Sequence, residues 1–151
     1  MSVRPFHVAF PVQDLAATRR FYESVLGCSV GRTSDHWIDF NLFGHQVTAH
    51  LCTEANIRPT NPVDGKQVPV QHWGVILEMA DWEELAASLK AQKVEFIIEP
   101  YLRFKGEVGE QATMFLLDPS GNALEFKAFQ SDESIFASPN SPSNSPPDSP
   151  H

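Results

Sequence analysis

The sequence predicts an α+β fold built from two modules of the same plan, each a strand, a helix and three further strands. The first observation is an alternating segment, residues 6–12, followed by an amphipathic segment that begins after Asp14 and stops at Gly27. The second is the repetition of that order, with a strand-like run at 72–77 and a helical pattern from Asp81. The repeat predicts two related modules rather than one irregular domain.

Each predicted helix is followed by strand-like segments. In the first half these are 31–33, 37–42 and 46–52, and in the second half 94–98, 112–117 and 122–129. A stretch rich in proline, residues 56–69, separates the halves and reads as a linker. We therefore expect module one at 3–55, module two at 70–129, and a disordered tail rich in Ser and Pro at 130–151.

Composition excludes several classes of protein. The 151 residues include 11 Lys+Arg and 19 Asp+Glu, which gives a net charge of −8 and argues against nucleic-acid or anionic-membrane partners. The apolar runs are far too short to span a bilayer, and the N-terminus lacks a secretory h-region. Two cysteines cannot form a disulfide framework. We expect a cytoplasmic protein that acts on a small molecule.

Four strands carry their polar side chains on one face. In each, the apolar residues alternate with polar ones, so the apolar set can cover the helices while the opposite face offers one ligand-type side chain. These four side chains are His7, His50, His72 and Glu125.

Two imidazoles and one carboxylate are typical ligands of a borderline divalent metal, and they leave coordination positions open for substrate or dioxygen. A lone histidine on a strand is usually structural, so His36, His45 and His151 are assigned no role. The repeat-related placement of His7, His72 and Glu125 favours a metal site, and His50 is the weaker candidate.

The chain resembles the vicinal oxygen chelate superfamily, which includes glyoxalase I, extradiol dioxygenases, methylmalonyl-CoA epimerase and the bleomycin and fosfomycin resistance proteins. The resemblance covers about residues 6–129. It rests on His7 in the opening strand, the helix end at residues 20–27, His72, and the run DPSGNALEF at 118–126. It implies paired βαβββ modules that curl into a mixed sheet around a cleft, with the helices on the outer face.

The resemblance also implies a function. Metal ligands would map onto His7, His72 and Glu125, with Fe(II) favoured and Mn, Ni, Co or Zn as alternatives. His50 stands where glyoxalase I carries a Glu, which favours an extradiol-dioxygenase-like oxygenase with His50 or Tyr101 as acid/base. The alternatives are a glyoxalase- or epimerase-like enzyme and a metal-free protein that binds a drug or metabolite. A homodimer is expected by family analogy, with the cleft completed within one chain or across the interface.

Two further side chains are candidates for substrate binding. Arg103, in the segment before the last hairpin, suits recognition of a substrate carboxylate or enediolate, because its guanidinium binds such groups with two parallel hydrogen bonds. Trp37 shares a strand face with polar residues and could reach the same cleft.

Overall fold

The computed structural model describes residues 2–54, 59–107 and 109–137. The predicted tail therefore lies largely outside the described residues, as do residues 56–58 of the predicted linker and residue 55 at the end of predicted module one. The described part of that tail includes a short 3₁₀ turn at Asp132–Ser134.

The first module follows the predicted order. Strand β1 spans His7–Val12, helix α1 spans Leu15–Arg20 and continues as a π-helical turn over Phe21–Val25, and three strands follow. These are β2 (Ser29–Thr33), β3 (Trp37–Leu42) and β4 (His45–Leu51). They form a four-stranded sheet in the order β1-β4-β3-β2, with β1 parallel to β4 and the other pairs antiparallel.

Both predicted ends of the first helix are confirmed. The Asp14 side chain accepts a hydrogen bond from the amide of Ala17 at 2.9 Å, which caps the helix N-terminus. At the other end Gly27 has a φ of 74°, the left-handed conformation that lets the chain leave a helix without steric cost.

The second module repeats this topology. Strand β7 (Ile76–Leu77), helix α2 (Met79–Ala91) and strands β8 (Phe96–Arg103), β9 (Gln111–Leu117) and β10 (Ala123–Phe129) build a sheet in the order β7-β10-β9-β8. The α+β prediction, two βαβββ modules with mixed sheets, is thus confirmed.

Two details of the second module differ from the prediction. The expected strand at 72–77 is regular only over β7, with a single bridge joining Trp73 to Leu124. Helix α2 begins before the expected capping residue Asp81, because its N-cap is Glu78. The aspartate instead lies in the first helical turn, where a negative charge is favourable beside the helix dipole.

The segment between the modules contains a hairpin. Strands β5 (Thr60–Val63) and β6 (Lys66–Pro69) pair antiparallel. Their turn is Asp64-Gly65, and both residues have positive φ, at 49° and 73°. Positive φ at both central positions defines the tight turn that matches the twist of two paired strands. The hairpin, which the sequence analysis did not predict, reaches the second sheet, as described below.

A shared aromatic core joins the modules. The centroids of the Phe10 and Trp73 rings lie 4.9 Å apart, and those of the Tyr22 and Phe40 rings 5.0 Å apart. The hydroxyl of the fully buried Tyr22 donates to Asp118 at 3.1 Å. The side-chain amide of Asn122 donates to the carbonyl of Pro11 at 2.9 Å. These contacts tie the turn before β10 to the first module and so fix the position of β10.

Candidate functional site

His72 and Glu125 form the centre of the site. His72 precedes the bridge at Trp73, and Glu125 lies in the middle of β10, with its amide donating to the Trp73 carbonyl at 2.9 Å. The His72 Nε2 atom is 3.1 Å from the Glu125 Oε2 atom. The two side chains are 30% and 13% exposed, so the pair is partly withdrawn from water yet open to a ligand.

Neighbouring groups orient both members of the pair. The Nδ1 atom of His72 lies 2.7 Å from the carbonyl oxygen of Pro69, and since a carbonyl only accepts, Nδ1 carries a proton. The Thr113 hydroxyl donates to Glu125 Oε1 at 2.6 Å. An imidazole whose Nδ1 donates to a backbone carbonyl presents Nε2 outward, which is the usual arrangement of a metal-binding histidine.

A positive charge between the His72 and Glu125 side chains is electrostatically favourable. The hydrogen bond to Glu125 raises the pKa of His72, outweighing burial, which lowers it. Burial raises the pKa of Glu125, but the hydrogen bonds from His72 and Thr113 and the charge of Lys127 outweigh it and lower that pKa. Because both ring nitrogens of His72 face oxygen acceptors, either a second proton or a metal cation at Nε2 satisfies the arrangement.

The second sheet supplies the walls of the site. The ring of the buried Phe115 stands edge-on to the His72 ring at 5.1 Å. Across β9, Tyr101 is paired in register with Thr113, and Arg103 with Gln111. Burial raises the pKa of Tyr101, and the charges of Asp64 and Glu125 also raise it, against the guanidinium of Arg103, which lowers it.

The hairpin of β5 and β6 covers this end of the sheet. The Asp64 Oδ2 atom is 2.7 Å from the Arg103 Nε atom, and the Lys66 ammonium stands over the Tyr101 ring, 4.9 Å from its centroid. The last residue of β6 is Pro69, whose carbonyl holds His72. The hairpin therefore contacts three of the residues that the sequence analysis selected.

The remaining candidates lie on the first sheet. His7 begins β1 and pairs with Gln46 of β4, while Trp37 of β3 pairs with His50. His7 and His50 are exposed and Trp37 is partly buried beside the guanidinium of Arg32, which lies 5.6 Å from the ring centroid.

The structure thus brings together two of the three predicted metal ligands. Over residues 2–54, 59–107 and 109–137, no group of three or more His, Cys, Asp or Glu side chains is placed to hold a metal ion. His7 does not join His72 and Glu125 within a single chain in such a group. The alternative to a site within one chain is a site completed across a dimer interface.

Sequence reasoning did not identify Thr113, Asp64, Lys66 and Gln111. The signal for Thr113 was available, since alternation along β9 puts it on the same face as Gln111 and opposite Ala112 and Met114. The contacts of Asp64 and Lys66 depend on how the hairpin folds back, which no local pattern encodes.

Comparison with known proteins establishes the family. The model of the Glyoxalase/Bleomycin resistance protein/Dioxygenase superfamily matches residues 4–126, and the chain belongs to this superfamily. The comparison with curated protein sequences gave no significant match.

Solved structures share the fold. A glyoxalase/bleomycin resistance protein/dioxygenase from Alicyclobacillus acidocaldarius is 30% identical, with a TM-score of 0.74 over 87% of this chain and 96% of that one. The fosfomycin resistance protein FosX from Listeria monocytogenes is 16% identical, with a TM-score of 0.64 over 89% and 98%. Lactoylglutathione lyase from Agrobacterium tumefaciens is 17% identical, with a TM-score of 0.61 over 84% and 94%.

The superfamily contains metal-dependent enzymes as well as resistance proteins, so membership defines a class and not a reaction. Among the described residues, no helix is long and apolar enough to cross a membrane.

Proposed function

We propose that this protein is a metal-dependent, extradiol-dioxygenase-like enzyme that binds a small substrate through two adjacent oxygens. His72 and Glu125 supply two of the metal ligands and His7 supplies the third. Fe(II) is the favoured ion, and it would provide the Lewis acidity and the oxygen chemistry of such an enzyme. The observation that carries the proposal is the pair at 3.1 Å, with the Nδ1 proton of His72 held by the Pro69 carbonyl.

The donor set fits a divalent ion in type and charge. Two neutral imidazoles and one carboxylate leave a net charge of about +1 on a bound M²⁺, which favours an anionic chelating substrate. The hydrogen bond from Thr113 keeps Glu125 ionised and fixes its orientation. Because His7 does not form a group with His72 and Glu125 among the described residues of one chain, we propose that a second copy of the chain supplies it in a homodimer.

The other residues have roles around the substrate. Tyr101 is the register partner of Thr113, which donates to Glu125, and we propose that it exchanges a proton with a substrate hydroxyl. His50 is the alternative acid/base from the first sheet. Arg103 is proposed to bind a substrate carboxylate or enediolate, and Trp37 to contact the substrate from the first sheet.

The second candidate is a glyoxalase- or epimerase-like lyase or isomerase, with Mn, Ni, Co or Zn in place of iron. The fold similarity to lactoylglutathione lyase favours it. Against it stands His50, because removal of a proton from the carbon beside a carbonyl, as in glyoxalase chemistry, resembles a scheme with a second carboxylate near the metal. A metal-free binding protein is the third candidate, and the retained His72–Glu125 pair argues against it.

The test is the metal content and oxygen consumption of protein purified anaerobically without a His-tag. Stoichiometric iron and catechol-dependent oxygen uptake would support the dioxygenase. Bound Ni, Co, Mn or Zn without oxygen uptake would support the lyase or isomerase. The same metal analysis is made on Glu125→Ala, which lacks a proposed ligand. Its matched control is Glu83→Ala, which removes an exposed glutamate from helix α2.

A mixing experiment tests whether the site crosses a dimer interface. We expect His7→Ala and Glu125→Ala each to lose metal when pure. In a mixed dimer with ligands from both chains, one site contains both substitutions and the other contains neither. Random pairing of equal amounts makes about half of the dimers mixed, so about a quarter of the wild-type metal content and activity should return. A site within one chain would leave both sites damaged, and mixing would restore nothing.

A further inference from the structure

The last residue of strand β8, Arg103, has a buried nitrogen without a hydrogen-bond partner among the described residues. The Arg103 side chain is only 22% exposed, and its Nε atom is buried. Asp64 Oδ2 lies 2.7 Å away, yet the Nε–H bond is not directed at it, so the contact is an ion pair without a hydrogen bond. A buried guanidinium nitrogen without a directed acceptor is costly, and a better-placed oxyanion would improve it.

A second unsatisfied atom belongs to the residue paired with Arg103 on the neighbouring strand. Gln111 is the register partner of Arg103 across β8 and β9, and its Oε1 atom is buried with no hydrogen-bond partner among the described residues. An amide oxygen accepts, so its missing partner is a hydroxyl or N–H donor. The Arg103 Nε–H group and the Gln111 Oε1 atom are thus a donor and an acceptor on paired residues, and a ligand that carries both an oxyanion and a hydroxyl can satisfy both.

These positions belong to the same face of the sheet as the proposed metal ligands. Gln111 and Thr113 are two residues apart on β9, which separates them by about 6.8 Å on one face. Thr113 is in turn hydrogen-bonded to Glu125. A molecule bound at Arg103 and Gln111 can therefore extend towards Glu125.

The hairpin turn supplies the present counter-ion. Asp64 is 46% exposed and sits at the tip of a two-residue turn, whereas Arg103 projects from the sheet beneath it. The Lys66 ammonium adds a second positive charge over Tyr101. Arg103 and Lys66 are thus two cations beside the single turn carboxylate of Asp64.

We propose that Arg103 and Gln111 form a subsite for a 2-hydroxycarboxylate group of the substrate, and that Asp64 occupies the carboxylate position until the substrate displaces it. This inference deepens the proposed function, on which it rests for the identity of the cleft. The substrate carboxylate binds the Arg103 guanidinium, and its neighbouring hydroxyl donates to Gln111 Oε1. Displacement frees the turn of the β5–β6 hairpin from the sheet.

The probe is glycolate, which has a hydroxyl beside its carboxylate, compared with acetate, which lacks it. Binding to the full-length chain is followed by NMR titration of the Arg103 Nε–H and backbone amide signals. The titration is repeated in Glu125→Gln, because glycolate could also chelate a metal at the proposed centre. Binding at Arg103 should persist in that variant.

Asp64→Asn should tighten glycolate binding about two- to fivefold, since it removes a competing, half-exposed ion pair. Arg103→Gln should weaken binding about tenfold or more. Gln111→Ala should abolish the preference for glycolate over acetate. The matched control for Asp64→Asn is Glu83→Gln, on the exposed face of α2, which should leave glycolate affinity unchanged.

The subsite is overturned if Asp64→Asn does not tighten binding, or if Arg103→Gln binds glycolate like wild type. If Arg103→Gln does not fold, the Asp64 and Gln111 variants decide the matter. Failure of the proposed function appears elsewhere, as wild-type metal content in Glu125→Ala, so the two hypotheses fail independently.

Discussion

Replacing Gly74 with alanine tests how closely the chain beside His72 must approach strand β10. A Cβ atom at position 74 would lie 2.6 Å from the carbonyl carbon of Glu125 and well inside contact distance of its carbonyl oxygen. Ordinary contacts begin at 3.4 Å, so the backbone segments must move apart. Because Glu125 and His72 sit on these two segments, the movement changes the geometry of the pair.

The cost follows from overpacking. Forcing an extra methyl into a packed region costs typically about 1–3 kcal/mol. For a domain of this size that corresponds to a fall in Tm of about 2–12 °C. Metal affinity should fall as well, because the displaced carboxylate is proposed to be a ligand.

Gly31→Ala is the matched control. Its Cβ would lie 3.3 Å from the Cβ of Asp39 on the first sheet, a tight contact that a small shift relieves. We expect a Tm change of less than about 2 °C and no change in metal affinity. Thermal denaturation and metal titration of both variants measure the effects. A Gly74→Ala protein with the Tm and metal affinity of the control would refute the reasoning.

Three further predictions concern the core, the charge pair and the substrate. Tyr22→Phe should lower the free energy of unfolding by about 1–3 kcal/mol in urea denaturation, because it leaves the buried Asp118 carboxylate without that donor; an unchanged midpoint would contradict this. In metal-free protein, the raised pKa of His72 adds stability that is fully present below the ordinary pKa of 6.5 and is lost as pH rises through the folded-state pKa. The lowered pKa of Glu125 adds stability that is lost as pH falls below 4.5. Urea denaturation in EDTA should therefore show the stability advantage of wild type over His72→Gln shrinking from pH 6 to pH 9, and a constant difference would count against the charged pair. Arg103→Ala should raise KM without changing metal content, whereas the exposed Arg19→Ala should change neither; loss of metal in the first would assign Arg103 a structural role.

Much of the fold was readable because alternation and repetition are local signals. The structure buries Phe10 and Val12 of β1, and Leu124, Phe126 and Ala128 of β10. His7 and Glu125 lie on the opposite faces of these strands, as the period of two predicts. The end of α1 at Gly27 was likewise predictable, because few residues other than glycine adopt its positive φ without cost.

The hairpin of β5 and β6 was missed because Pro62 and Pro69 dominate the segment and suggest a linker. Proline is tolerated there, since this two-stranded sheet consists of edges only. The Asp64-Gly65 turn signal was present, yet it carries no information on where the hairpin docks. The start of α2 was misplaced for a similar reason, because Asp81 matches a capping pattern but the helix begins a few residues earlier.

The same distinction between local sequence signals and tertiary arrangement applies to the site. Alternation selected His72 and Glu125, and the structure places them 3.1 Å apart. Alternation in the sequence could not reveal whether His7 reaches these two side chains, because that depends on how the modules of one or two chains are arranged. The contact between Asp64 and Arg103 depends on the hairpin and is a tertiary property.

Elemental analysis of wild-type, Glu125→Ala and Glu83→Ala proteins, each purified without a tag and checked for folding by circular dichroism, tests the metal centre most directly. We expect close to one divalent ion per chain in the wild type and in Glu83→Ala, and almost none in folded Glu125→Ala. Equal metal in all three proteins, or none in any of them after purification with added Fe(II), would contradict this expectation.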